Sequence, residues 1–185
     1  EYVLLGIAPD GAWMESASYW RTMLTDMAYS LGSLVTVMGD DYKLLEAPGM
    51  ENQCRILASY SSPNSKLSYG DDGPSTEVYL SFDSFSFFSY YYGQEDIAMW
   101  RKIRLDPQLR KKYGNRMRAA DPSMLDVVFY MPNPSEDSIK ELPKVSVVKG
   151  MESFTVHEDY TDPNALFFAS AGGPTTFYHE HNDGG

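Results

Sequence analysis

The chain has 185 residues, 43% of them apolar, which is an ordinary share for a globular core. Its formal net charge of −11 gives no electrostatic footprint for nucleic acid, so we expect no nucleic-acid partner. Cys54 is the single cysteine, which excludes an internal disulfide framework and a multi-cysteine zinc site. No apolar run approaches the ~20 residues that span a bilayer, and we therefore expect no membrane partner.

The first predicted helix follows a Pro-Asp-Gly turn at residues 9–11. Tyr19, Met23 and Met27 recur at helical spacing, and Gly39 is a typical residue at a helix end. Glu15 and Tyr19 are four positions apart, which predicts that they share one face of this helix.

Further helices are predicted before about residue 131. Residues 79–93 alternate like a strand around Phe82, but their length favours a buried helix. Pro122 after Asp121 is typical of a first helical position. A Gly/Asp/Pro loop is expected at residues 67–77. The predicted helices cover residues 50–60, 79–93, 95–105 and 122–131.

The pattern changes near Leu142 from helical spacing to β-branched and aromatic runs separated by turns. Residues 161–164 (TDPN) form the turn between two such runs. The sequence therefore predicts an α+β chain with a helical unit at residues 1–141 and the start of an antiparallel sheet at residues 142–185.

Two histidines near the C-terminus form the most informative motif. His179 and His181 are two positions apart, so in an extended backbone both imidazoles point to one side, with Asp183 continuing that face. Taken alone, this pair of histidines is as consistent with a functional site as with a structural role. For His157, a lone histidine in a predicted strand, a structural role is favoured.

Four segments taken together resemble the heparinase II/III-like polysaccharide lyases, including the oligoalginate lyases, over nearly the whole chain. PDGAWMESASYW (residues 9–20) is similar to the helix start that carries the family's catalytic tyrosine. KLSYGDDGP (66–74) is similar to its Gly-Asp loop, and residues 142–173 are similar to its opening β-strands. HEHNDGG (179–185) matches its HxHxD motif.

The resemblance implies part of an (α/α) toroid followed by the first strands of an antiparallel β-sandwich, with the active site between them. It implies a periplasmic or secreted enzyme that cleaves an acidic, uronate-containing polysaccharide by β-elimination. Tyr19 would be the acid, with the base role also open to it, and His179 the base or the group that neutralises the substrate carboxylate. His181 matches a ligand of a structural zinc. The side chains expected to contact substrate are Trp13, Glu15, Trp20 and Tyr69.

The chain also departs from the family pattern. A further asparagine or histidine that grips the substrate carboxylate comes from a helix upstream of residue 1 in the family, and the remaining zinc ligands come after the HxHxD motif. His157 stands where relatives often have arginine. We therefore expect an internal segment of a lyase that, alone, is inactive and binds no zinc tightly.

Two alternatives to a lyase stay open. A non-catalytic carbohydrate-binding toroid would stack sugars on Trp13, Trp20 and Trp100. A glycoside hydrolase would need two carboxylates flanking the bond, such as Glu15 with Asp71 or Asp72. The sequence leaves open the polymer, endo or exo cleavage, and the oligomeric state.

Overall fold

The computed structural model describes residues 6–13, 15–69, 82–114 and 121–172. Within these ranges the protein is α+β, with helices followed by one three-stranded antiparallel sheet. The α-helices are α1 (Ala17–Met38), α2 (Gln53–Ser59), α3 (Ser84–Tyr92), α4 (Glu95–Leu105), α5 (Pro107–Lys112) and α6 (Met124–Val128). The strands are β1 (Val145–Val148), β2 (Ser153–His157) and β3 (Phe167–Ala171), and 3₁₀ turns occupy Met50–Asn52, Glu136–Glu141 and Lys149–Met151.

Most of the predicted elements are confirmed. Helix α1 ends at Gly39, whose φ of 70° is left-handed and whose N–H donates to the carbonyl of Val35. Helix α4 has the predicted bounds, and the ambiguous run at residues 79–93 contains helix α3 rather than a strand. The first strand begins at Val145, close to the predicted change of pattern at Leu142.

The start of α6 corrects one prediction. The helix begins at Met124 and not at Pro122, because Ser123 is its N-cap. The Ser123 hydroxyl accepts from the Asp126 N–H, and the Asp126 carboxylate accepts from the Ser123 N–H.

Helix α5 was not predicted, although its start signal is present in the sequence. Asp106 caps its first turn by accepting hydrogen bonds from the N–H groups of Gln108 and Leu109. Pro107 occupies the first helical position, where its missing N–H carries no penalty.

The helical core lies along one face of α1. Trp20, Leu24 and Ala28 are completely buried there. Gly32 continues this face and allows a close approach, because a Cβ at this position would lie 2.9 Å from the ring of Phe129. Burial of a large apolar side chain contributes roughly 1.5 to 3 kcal/mol, so this face anchors α1 in the fold.

Two ion pairs tie α4 to its neighbours. Arg55 of α2 binds both carboxylate oxygens of Asp96, at 2.6 and 3.0 Å. Arg101 binds both oxygens of Asp126 of α6, at 2.9 and 2.7 Å. Arg55 is partly exposed, whereas Asp96, Arg101 and Asp126 are buried, so loss of either arginine would leave a buried carboxylate without its charged partner.

The sheet has the order β1-β2-β3 and two contrasting faces. Phe154 of β2 pairs with Val147 of β1, and Phe154 and Phe168 of β3 lie on a face that is exposed. The opposite face of β2 is polar and buried: Ser153, Thr155 and His157 are 3%, 0% and 1% exposed. That face packs towards the helices.

The Pro-Asp-Gly turn at residues 9–11 joins the N-terminal region to the sheet. One carboxylate oxygen of Asp10 accepts from the N–H of Gly150, in the turn between β1 and β2, at 2.9 Å. The other accepts from the N–H of Ala12 at 3.1 Å. Gly150 is required by the close packing, since a Cβ there would lie 2.7 Å from the Cβ of Ala8.

Gln53 fastens the same turn to the helices. Its side chain is completely buried at the start of α2. The amide oxygen accepts from the indole N–H of Trp20, and the amide nitrogen donates to the carbonyl of Gly11 at 2.7 Å. A buried amide is tolerated only when its groups are bonded, and Gln53 meets that condition by connecting α1, α2 and the turn.

We predict that Gln53→Leu lowers the free energy of unfolding by roughly 2 to 4 kcal/mol, because it leaves the Trp20 N–H and the Gly11 carbonyl buried without their partner. Urea denaturation measures the change. Gln108→Leu is the matched control, since Gln108 is exposed. Equal stabilities of the two variants would contradict the assigned role of Gln53.

Candidate functional site

An open groove of about 490 Å³ runs beside the first half of α1. Three of the residues predicted from sequence, Trp13, Glu15 and Tyr19, line it together. The remaining lining comes from the same helix and the loop after it: Thr22, Met23, Asp26, Met27, Ser30, Leu31 and Leu44.

The segment before α1 places Trp13 at the groove. Ile7 and Trp13 form an antiparallel bridge, and the N–H of Ala8 donates to the carbonyl of Ala12 at 2.8 Å. This short hairpin closes around the Asp10 turn, and the Trp13 ring packs directly over Gly6. The position of Trp13 is therefore fixed by the same turn at residues 9–11 that contacts the sheet.

Glu15 and Tyr19 share the groove for a different reason from the one predicted. Helix α1 begins at Ala17, so Glu15 precedes it and is not on a helical face. The chain turns at Ser16, the N-cap, and brings Glu15 alongside the first turn.

Tyr19 is the third residue of α1 and its side chain is 42% exposed. The first turn of α1 contains no acidic residue, and the Ser16 side chain makes no capping bond to it. Glu15, which directly precedes the N-cap and lines the same groove, is a carboxylate that the positive end of the helix dipole favours.

Trp20 is completely buried, against the prediction that it contacts substrate. Its side chain is 0% exposed, its N–H is bonded to Gln53, and its ring packs edge-on against Tyr60 with centroids 5.8 Å apart. Trp100, a stacking candidate in the binding-module alternative, is also buried, beneath the guanidinium of Arg104. Neither ring has a face available to a sugar.

Tyr69 lies apart from the groove. Its ring is half-buried and packs edge-on against Tyr60, with centroids 5.9 Å apart. Tyr60 in turn bonds the Ser153 hydroxyl at 2.6 Å, which ties the end of α2 to the sheet. Burial raises the pKa of Tyr60 to about 12, so this phenol keeps its proton.

His157 is a second tie between the sheet and the helices. Its Nε2 lies 2.7 Å from the carbonyl of Ser59 at the end of α2, and its ring stacks on Tyr160 with centroids 3.9 Å apart. A carbonyl only accepts, so Nε2 carries the proton and Nδ1 does not. The Nδ1 atom is buried and has no hydrogen-bond partner among the described residues. Burial lowers the pKa of His157, against a smaller opposing effect of the bond to Ser59.

Several predicted residues lie outside the described residues. These include both histidines of the C-terminal motif, so a common cleft for His179 and Tyr19 stays a prediction, as does zinc at His181. Within the described ranges no group of three or more His, Cys, Asp and Glu side chains is arranged to hold a metal ion. No helix in those ranges has the length and apolar composition needed to cross a bilayer. The other predicted residues outside them are Asp71, Asp72 and Asp183.

The sequence predicted three of the ten groove residues and missed the other seven. The signal was present, because the positions follow one side of α1 at intervals of three and four: 19, 22, 23, 26, 27 and 30. Leu44 comes from the loop beyond α1 and no local pattern indicates it. The missed residues are Thr22, Met23, Asp26, Met27, Ser30, Leu31 and Leu44.

Comparison of the chain with protein-family models, with curated proteins and with solved structures gave no match.

The environment of His157 predicts acid sensitivity. Its folded pKa is lowered below the unfolded value of ~6.5, so its contribution to stability is complete above pH ~6.5 and is lost as pH falls from there towards the folded pKa. We expect the free energy of unfolding to fall more between pH ~7.5 and ~5 in the wild type than in His157→Gln.

Glutamine at position 157 keeps an N–H donor for Ser59 and does not titrate, so the difference between the two proteins isolates His157 from other groups. Urea denaturation at both pH values measures it. Identical pH dependence of the two proteins would show that His157 titrates normally.

Proposed function

We propose that the protein is a polysaccharide lyase that cleaves a uronate-containing glycan by β-elimination. The proposal is supported most directly by one observation: Trp13, Glu15 and Tyr19, which lie within seven residues of sequence, line one open groove at the start of α1. An aromatic ring, a carboxylate and a half-exposed phenol suit sugar stacking, hydroxyl binding and proton transfer.

The reaction breaks the bond between C4 and O4 of the uronate. A base removes the proton from C5, the electron pair forms the C4–C5 double bond, and an acid protonates the departing O4. The C5 proton is weakly acidic until the neighbouring carboxylate is neutralised, so charge stabilisation is as important as the base.

We assign the acid role to Tyr19, with the base role also open to it. Its ring is 42% exposed and lines the groove, where a phenol can donate a proton. Because Tyr19 belongs to a 22-residue helix anchored in the core, the phenol is held on a rigid element.

His179 remains the proposed base or carboxylate neutraliser, and His181 the proposed zinc ligand, both by resemblance. No step of the reaction passes through the metal, for which a structural role is proposed. A polysaccharide too large to enter a cell requires an enzyme outside the cytoplasm, so we propose a periplasmic or secreted location.

The finer architecture is also part of the proposal. Helices α1, α3 and α4 pack on one another in succession, as expected for a portion of an (α/α) toroid. The exposed outer face of the sheet carries Phe154 and Phe168, which suits a face that a second sheet covers in a β-sandwich.

A glycoside hydrolase is the main competitor, since Glu15 and Asp26 are two carboxylates in one groove. However, Asp26 lies nine helical residues beyond Ala17, a rise of about 14 Å along α1, and Glu15 precedes the helix. Glycosidases hold their carboxylates about 5 to 9.5 Å apart, so this backbone spacing disfavours the pair. A pure binding module is disfavoured because two of its three stacking tryptophans are buried.

We predict that Tyr19→Phe in the full-length protein lowers kcat about 10²- to 10⁴-fold, with little change in substrate binding, because only the hydroxyl is removed. The ultraviolet absorbance of the unsaturated uronate product measures turnover.

Tyr29→Phe is the matched control, since Tyr29 is on the same helix, is equally exposed at 42%, and does not line the groove. Turnover of Tyr19→Phe close to that of Tyr29→Phe would show that another group donates the proton.

A further inference from the structure

Strand β1 lies at an edge of the sheet, whose order is β1-β2-β3. The N–H of His157 donates to the carbonyl of Lys144 at 2.7 Å, and along an antiparallel pair every second residue bonds the neighbouring strand in this way. The N–H and C=O groups of Val145 and Val147 therefore face outward, away from β2. Among the described residues nothing bonds these four backbone groups.

This outward edge is short and has defined ends. Before it, Pro143 has no N–H, and its carbonyl accepts from the hydroxyl of Tyr160 at 2.8 Å. After it, the chain leaves the strand in the 3₁₀ turn Lys149–Met151. The edge therefore fits an extended segment of about six residues, joined to β1 through the four outward backbone groups.

The side chains along this edge are apolar. Val145 and Val147 are 59% and 68% exposed, and Val147 pairs with Phe154 on the outer face of the sheet. Directly opposite residues of an antiparallel pair share a face, so a strand added here would place two of its side chains beside these valines. Apolar residues at those two alternate positions would bury them.

The ends of the edge carry positive charge. Lys144 and Lys149 directly precede and follow β1, and both are exposed. Residues 144–149 contain no Asp or Glu, although the chain as a whole has a net charge of −11. The neighbouring carboxylates Glu152 and Asp159 belong to the segments before and after β2. An acidic residue at each end of an added strand would therefore meet a lysine.

Lysines on an edge strand also oppose pairing of a sheet with its own copy. If two copies paired antiparallel through β1, with Val145 opposite Val147, Lys144 of one copy would lie beside Lys149 of the other. We propose instead that the β1 edge binds an extended segment of a different protein, apolar at alternate positions and acidic at both ends, which adds to the sheet as a further strand.

The probe for this site is a capped hexapeptide, Glu-Thr-Val-Thr-Val-Glu, whose valines fall opposite Val147 and Val145 in antiparallel register. Its binding to the full-length protein is measured at low salt by fluorescence anisotropy of the labelled peptide. The charge control is the same peptide with lysine at both ends. The backbone control compares methylation of the two valine N–H groups, which face β1, with methylation of the two threonine N–H groups, which face away.

Val147→Pro tests the same pairing from the protein side. The N–H of Val147 bonds nothing within the described sheet, so proline removes only the donor that the peptide needs, and edge strands tolerate proline. Val147→Thr is the matched control, because threonine keeps the N–H and the branched side chain. Far-UV circular dichroism verifies that both variants are folded, and the methylated peptides test the pairing without any change in the protein.

We expect the acidic peptide to bind about tenfold more tightly than the lysine peptide, an advantage that salt reduces. Methylation of the valines and Val147→Pro should each weaken binding about tenfold or more, because each removes backbone hydrogen bonds to the edge. Methylation of the threonines and Val147→Thr should change binding less than about threefold, because both leave those bonds in place.

Equal binding of the acidic and lysine peptides, equal effects of the two methylations, or no binding of the acidic peptide would overturn the proposal. A dimer of the protein that Val147→Pro dissociates would also overturn it, since the edge would then bind a second copy.

Discussion

The fold depends on the buried amide of Gln53, which bonds the Trp20 indole and the Gly11 carbonyl at once. A buried amide stabilises a fold only when its donor and acceptor both find partners, and here those partners come from α1 and from the turn at residues 9–11. The same turn reaches the sheet through the bond between Asp10 and the Gly150 N–H. Helices, turn and sheet are therefore positioned by one connected set of polar contacts.

The same contacts of the turn at residues 9–11 also determine the geometry of the groove. Trp13 and Glu15 directly follow the turn, so whatever holds the turn against α1 and the sheet also holds these side chains beside Tyr19. The Pro-Asp-Gly motif is therefore structural, and the chemistry is assigned to the residues that follow it. His157 and Tyr60 supply further bonds between the end of α2 and β2, which keep the sheet in place next to the helical part.

Local signals in the sequence predicted the end of α1 and both ends of α4 well, and the burial of individual side chains less well. Gly39 indicated the end of α1, because the preference of glycine for the left-handed conformation at a helix end can be read from the local sequence alone. Trp20 was misassigned because adjacent helical residues point about 100° apart, and the sequence has two apolar stripes on α1, one through Tyr19 and one through Trp20. The choice between them is made by Gln53, 33 positions away, which no local pattern reveals.

We propose that this groove serves elimination and not hydrolysis, and the mass of the products tests this proposal most directly. The full-length protein is incubated with a uronate-containing glycan in ¹⁸O-labelled water, and the products are analysed by mass spectrometry. Elimination predicts a new non-reducing end that is lighter by one water molecule than a hydrolytic end, with no ¹⁸O incorporated in the cleavage step. Products that carry ¹⁸O and the full mass of water would rule out elimination and identify a hydrolase.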